Sequence, residues 1–300
     1  MKIGYACINQ SLDCRSSRTF RLKNYSEERL RTTIESNLDC LLKILNFNLK
    51  NKILFFRITS DLIPFGSHPI MKFDWQDHFK LRFREIGKFI TKNNMRITMH
   101  PGQYTVLNSK NRDVYEKSLS DLEYHVAVLD LLGLSPSAKV QIHVGGVYQD
   151  KKNSMKRFIE RYENLEENIK NRLIIENDDR SYSFTDILQI HKKIKISVVF
   201  DIYHHECLNN GMSIDNLFES FISTWKRKDG HPIVHYSSEH LTKGKCKHAE
   251  TIDIKKFYQF ILKTKSYNFD IMLEIKDKEK SALKAINLLK DDPRFNKSRL

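Results

Sequence analysis

Glycine and proline are scarce, 10 and 6 of 300 residues, and no Pro/Gly/Ser-rich or low-complexity stretch interrupts the chain. That leaves no linker at which to divide it into domains. No run approaches the ~20 apolar residues needed to cross a bilayer. The opening MKIGYACINQ is broken by Asn9 and Gln10 and lacks signal-peptide architecture. Cysteine is sparse and odd in number, with Cys7, Cys14, Cys40, Cys207 and Cys246 showing no CxxC spacing. This argues against a disulfide framework or a thiolate zinc site and suits a reducing, intracellular setting. Membrane and secreted classes are thereby excluded. Acidic residues are outnumbered, 37 against 51 Lys and Arg, for a net charge of +14. Such a surplus points to a polyanionic partner, nucleic acid or another phosphate-bearing molecule.

What is present is a core-forming composition, 40% hydrophobic and 11% aromatic, arranged in alternation. Short β-rich runs occupy 2–8, 52–59, 95–100, 139–144, 172–176, 197–201, 232–237 and 269–275. Amphipathic stretches between them predict helices over 26–45, 76–93, 113–132, 153–170, 184–193, 214–226, 253–264 and 278–290. In the first of these, Leu30, Ile34, Leu38, Leu41, Leu42 and Leu45 form one stripe behind Ser26 as N-cap. Eight strand-helix units in an unbroken chain predict a single (β/α)8 TIM barrel over residues 1–300. An open doubly wound sheet usually opens with a Gly-rich turn, and INQSLDC after the first strand contains no glycine.

Barrel chemistry belongs at the C-terminal ends of the strands. There the sequence places His100, His143, Glu176, Asp201, His235 and Glu274 at or just after strands three to eight, with His204 three residues past Asp201. His68 lies in the loop after strand two and His248 in the loop after strand seven. Any one histidine there is more often a surface or hydrogen-bonded core residue. Six consecutive strands delivering imidazoles or carboxylates to one rim are a different matter. Three carboxylates cannot crowd a low-dielectric mouth unless cations neutralise them. Mixed N/O donors suit Zn²⁺, Mn²⁺ or Fe²⁺, and their number predicts a cluster of two or three ions at the rim. Paired cations stabilise both oxygens of an in-line phosphoryl displacement, which together with the charge favours phosphodiester hydrolysis.

FGSHP, MHPGQY, IHVGG, ENDD, FDIYHH, VHYSS, KHAE and LEIKDKE, in this order, resemble the UV damage endonucleases, the UvdE family, barrel enzymes related to the apurinic endonuclease IV family. The resemblance covers nearly the whole chain. It implies a DNA-repair enzyme that nicks the damaged strand 5′ to a UV photoproduct, leaving 3′-hydroxyl and 5′-phosphate ends. It further implies two to three divalent ions, most often Mn²⁺, with Zn²⁺ or Mg²⁺ as alternatives. Glu176 resembles the bridging carboxylate, His100 and His143 the ligands of one flanking ion, and Asp201, His235 and Glu274 those of a second. His204 and His248 resemble ligands of a third, with His68 beside the cluster as a metal-proximal or phosphate-binding residue. Gln103 and Tyr104 match the pair that probes the lesion, and Tyr5 and Asn9 match positions facing the lesion strand. The chain departs from the family at Ile233, where related enzymes carry a lysine two residues before the strand-seven histidine. The KGKCK run at 243–247 is a candidate phosphate contact. The implied partner is double-stranded DNA containing UV lesions, with no membrane, and the expected state is a monomer. Two rivals share the fold: a sugar-isomerase-like metal-dependent barrel and a catalytically inactive DNA-binding barrel.

Overall fold

Each β-rich run alternates two kinds of residue, and in the folded chain the alternation sorts them onto two faces. The computed structural model describes residues 1–240 and 246–296. Its strands are β1 (Ile3–Ala6), β2 (Phe55–Ile58), β3 (Arg96–Met99), β4 (Lys139–His143), β5 (Leu173–Glu176), β6 (Val198–Asp201), β7 (Ile233–Tyr236) and β8 (Asp270–Leu273). All pair in parallel and in chain order, and β8 returns to β1 to close the barrel. Outward residues, such as Ile3 and Tyr5 on β1, Phe56 and Ile58 on β2 and Val198 and Phe200 on β6, join the large apolar layer beneath the helices.

The inward residues form three tiers. Near the N-terminal ends, Arg96 pairs with Asp270 at 2.7 Å and buried Lys139 with Asp229. Above them Ala6, Phe55, Ile174, Val199, Ile233 and Met272 make a separate, dry apolar cluster. Ile233, the departure from the family pattern, is therefore a fully buried member of this waist. The third tier, at the C-terminal mouth, holds the carboxylates and imidazoles. Gly4 is required on β1, because a Cβ there would lie 2.2 Å from the Phe55 carbonyl oxygen.

The helices are α1 (Glu27–Lys50), α2 (Trp75–His78), α3 (Lys80–Lys92), α4 (Arg112–Leu131), α5 (Lys151–Glu163), α6 (Glu167–Arg172), α7 (Phe184–Ile194), α8 (Ile202–Cys207), α9 (Ile214–Ser223), α10 (Ile254–Lys263), α11 (Glu279–Leu288) and α12 (Pro293–Asn296). As the sequence predicts, the Ser26 side chain accepts from the Arg29 N–H at the start of α1. The stretch 153–170 divides into α5 and α6, and 76–93 into α2 and α3. Among the described residues no helix is long and apolar enough to cross a membrane.

The cysteines correct the sequence reading. Cys14 is bonded to Cys40 and Cys207 to Cys246, with Cα–Cα distances of 5.8 and 5.9 Å; Cys7 is free. The partners are 26 and 39 residues apart. Packing of the loop after β1 on α1 brings the first pair together and the β6–β7 pairing the second, so local spacing could not reveal the pairs, and the inference of a reducing compartment from cysteine pattern does not follow.

Candidate metal centre

The mouth is assembled from strand ends whose neighbours fix each side chain. Glu176 ends β5, 1% exposed, and stands at the middle of the site. Its Oε1 accepts from His235 Nδ1 at 2.9 Å and its Oε2 from Gln141 Nε2 at 2.8 Å. His100 Nε2 lies 3.5 Å from Oε2. Glu176 belongs to two groups whose donor atoms fall within 4.8 Å of one another: His100, His143 and Glu176, and Glu176, Asp201, His235 and Glu274. The structure thus brings together all six strand-end residues named from the sequence.

The surrounding hydrogen bonds aim lone pairs into this space. His100 Nδ1 lies 2.8 Å from the Pro101 carbonyl oxygen, a contact that turns Nε2 toward Glu176. Asp201 Oδ1 accepts from the His204 N–H at the start of α8, and its buried Oδ2 has no hydrogen-bond partner. His143 Nδ1 and His248 Nδ1 are likewise buried without one. Buried polar atoms left open in this way are costly unless a cation satisfies them. The donor set contains N and O atoms and no thiolate, so these residues could hold a divalent metal.

Electrostatics agree with that fit. Burial would raise the Glu176 carboxyl, but His235, His143 and His100 outweigh it and hold it well below the usual carboxylate range. Glu274 is also held low against burial, first by Arg57 and then by His235. Asp201 moves the other way, up to about 7, because burial and the charges of Glu176 and Glu274 outweigh His204 and His235. His204 is lifted to about 9 by Asp201, Glu176 and Glu274 in spite of burial. Burial lowers His100 and His248. Without cations, then, the cluster retains a proton on Asp201 at mildly acidic pH and one on His204 up to about 9.

His204 Nδ1 lies 3.7 Å from Glu176 Oε1 and 3.5 Å from Asp201 Oδ2, and neither it nor His248 belongs to either group. The imidazoles form a row, with ring centroids 5.4 Å apart for His100–His143, 5.8 Å for His143–His204 and 6.1 Å for His204–His248. The Cys207–Cys246 bond ties the end of α8, which carries His204, to the segment that carries His248. His68 is exposed in its loop, with Nδ1 accepting from the Ile70 N–H and its ring against Phe65. Gln103 and Tyr104 project at an exposed turn, Tyr104 being 83% accessible. Its base is fixed by Thr105 Oγ1 donating to Asp121 at 2.6 Å. Tyr5 and Asn9 depart from expectation. Tyr5 is fully buried on the helix-facing side of β1, its hydroxyl donating to Asn48 and accepting from the buried Asn9 amide. Neither presents a surface to a DNA strand. Residues 243–245 of the basic KGKCK run lie outside the described residues.

Three residues at the centre escaped the sequence reading. Arg57, 6% exposed on β2, has Nη1 2.7 Å from Glu274 Oε1 and donates from Nη2 to His235 Nε2 at 2.9 Å. The positive charge beside His235 therefore comes from β2 and not from the position of Ile233. Gln141 fixes one oxygen of Glu176. Asn177 exchanges two hydrogen bonds with the Asp201 backbone, locking the ends of β5 and β6 together. Inward parity along KILFFRIT and KVQIHV was the available signal for Arg57 and Gln141.

The family model described as UV-endonuclease UvdE matches residues 1–298. A UV DNA damage endonuclease of Clostridium perfringens (strain 13 / Type A) is 43% identical over 293 residues, covering 97% of this chain and 71% of its own. The crystal structure of SacUVDE is also 43% identical and superposes with a TM-score of 0.92, over 97% of this chain and 98% of that one. Endonuclease IV from Thermus thermophilus, at 15% identity and a TM-score of 0.57 over 83% of this chain and 93% of its own, shares the fold.

Proposed function

The chain belongs to the UvdE family of UV endonucleases, and from that membership we infer a DNA-repair endonuclease acting on UV-damaged DNA. We propose that it nicks the damaged strand 5′ to the photoproduct by multi-metal phosphodiester hydrolysis, leaving 3′-hydroxyl and 5′-phosphate ends. The observation that carries this reading is the double membership of Glu176, one buried carboxylate shared by two donor groups.

In this proposal Glu176, His100 and His143 would hold one ion and Glu176, Asp201, His235 and Glu274 a second. His204 and His248 would serve a third. The ions are two or three, with Mn²⁺ favoured over Zn²⁺ or Mg²⁺. When bound, they supply Lewis-acid stabilisation of the phosphate and lower the pKa of water. The protein's own contribution is orientation. Gln141 pins Glu176 Oε2, the Pro101 carbonyl fixes the His100 ring, and Arg57 braces Glu274 and His235 from below. The exposed turn at Gln103 and Tyr104 enters the duplex at the lesion, its tyrosine offering a planar face where stacking is lost. His68, in the loop after β2, contacts phosphate at the edge of the site.

The test uses supercoiled plasmid, irradiated or not, with the protein and either Mn²⁺ or EDTA. Nicking of the irradiated plasmid alone, and only with metal, is expected. Equal cutting of both plasmids rejects damage selectivity, and cutting in EDTA rejects the metal requirement. A carbohydrate-isomerising barrel would be indifferent to ionic strength. Binding to DNA by a +14 chain should weaken steeply as salt rises.

A further inference from the structure

The rim carries a second feature that the metal centre does not use. In the loop after β4, two successive residues other than glycine, Tyr148 (φ 52°) and Gln149 (φ 64°), hold left-handed backbone. Such conformations cost free energy and concentrate where a side chain must be presented in a particular way. Here the outcome is an aromatic ring that remains 36% exposed. It lies over Gly146, where an added Cβ would come within 2.6 Å of the ring. Lys110 Nζ stands 5.8 Å from the ring centroid and the Arg157 guanidinium carbon 5.4 Å. Neither cation comes within 4.0 Å of a carboxylate oxygen among the described residues; the exposed Asp150 carboxyl, held low first by Asn153, also feels Lys110 at longer range, whereas neighbouring Lys151 is paired with Asp186 at 2.8 Å.

The cluster is also rigid. Arg157 Nε donates to the Asn108 carbonyl at 2.7 Å and Nη2 to Ser154 Oγ at 3.2 Å. Asn108 in turn donates to the Gly146 carbonyl and accepts from its N–H. The loop bearing Tyr148 and the base of the loop bearing Gln103 and Tyr104 are thereby one unit.

We infer that Tyr148, with Lys110 and Arg157 around it, is a second DNA contact, gripping the sugar–phosphate backbone of the duplex on one side of the cut. The inference rests on the function proposed above. Unpaired cations held on a half-apolar ring fit an anionic polymer with apolar sugars, and their place on the catalytic rim selects DNA over an acidic protein. Tyr148 follows His143 by five residues, a reach of at most about 18 Å. At ~3.4 Å per phosphate along one strand, the contact falls within about five base pairs of the scissile linkage.

The test measures binding of Mn²⁺-loaded protein to a 30-base-pair duplex, about the length of three helical turns, with one photoproduct and an uncleavable phosphonate at the cut. Lys110→Ala should weaken binding about eightfold at 0.1 M salt and flatten the log–log salt slope by about 0.9, the loss of one phosphate contact. Tyr148→Ala should produce a similar loss with an unchanged melting temperature. Lys50→Ala, an exposed cation at the far end of α1, should change neither quantity. Trimming one flank to fewer than about five base pairs should abolish the difference between wild type and Lys110→Ala, and trimming the other should not. Identical affinity and slope for wild type and Lys110→Ala would overturn the inference. So would an equal loss in Lys50→Ala, or a loss that ignores flank length. Failure of the wild-type protein to bind the photoproduct duplex at all would instead reject the proposed function.

Discussion

Glu176 and Asp201 share one donor group at the mouth and shift in opposite directions, for opposite electrostatic reasons. Glu176 is ionised by its histidines, whereas Asp201 near 7 still holds a proton at mildly acidic pH. Changing Glu176 to Gln keeps the shape and removes the shared charge. Nicking of irradiated plasmid should be abolished while DNA binding, read by gel shift, survives; near-normal turnover would exclude a bridging role. The protons on Asp201 and His204 set the pH dependence of metal loading. A ligand must shed its proton before it can coordinate, so ions compete with protons at both groups. Apparent metal affinity should rise by roughly tenfold per pH unit for each proton displaced, below about 7 for Asp201 and up to about 9 for His204. Calorimetric titration in buffers of different ionisation enthalpy would count the protons released. A pH-independent affinity between 6 and 8 would contradict the assignment.

At the scale of elements, α8 and the segment after β7 act together because a disulfide joins them. Closing loops of 26 and 39 residues removes chain entropy from the unfolded state worth about 3.5–4 kcal/mol per bond. A dithiol should therefore lower the denaturant midpoint, and hydrogen exchange should speed up first around 202–207 and 246–249. If those amides exchange at the same rate with and without reductant, the bond does not hold the segment. How legible such elements were depended on whether their signal was local. The eight strands stood out because outward Ile, Val and Phe alternate with inward residues, and α1 because Ser26 caps an apolar stripe. The six strand-end residues were readable for a related reason: a strand end in a barrel already specifies a direction. Tyr5, which the resemblance places facing the lesion strand, has the parity of the outer face. Gly4 and Ala6 face inward, so Tyr5 between them faces the helices. Arg57 is an isolated charge in an apolar run, and its meaning depends on Glu274 and His235, far away in sequence. The short α8 has too few turns for a periodic pattern, and the disulfides depend on how loops pack against elements 26 and 39 residues away.

Across the whole molecule, two ionic layers are stacked in one barrel without touching. The lower one, Arg96–Asp270 with Lys139–Asp229, is almost fully buried. Removing one partner of such a pair strands the other charge, so Arg96→Met should destabilise the fold by roughly 3–5 kcal/mol in denaturant titration. The same variant should bind metal with wild-type stoichiometry and nick at the wild-type rate below its lowered melting temperature. Altered metal content would show that the layers communicate. The reason they should not is the cluster of Ala6, Phe55, Ile174, Val199, Ile233 and Met272 between them. That greasy partition gives the enzyme two separately adjustable compartments. A lineage facing hotter surroundings, or an engineer, can rebuild the cellar for endurance while the workshop above keeps its tools in place.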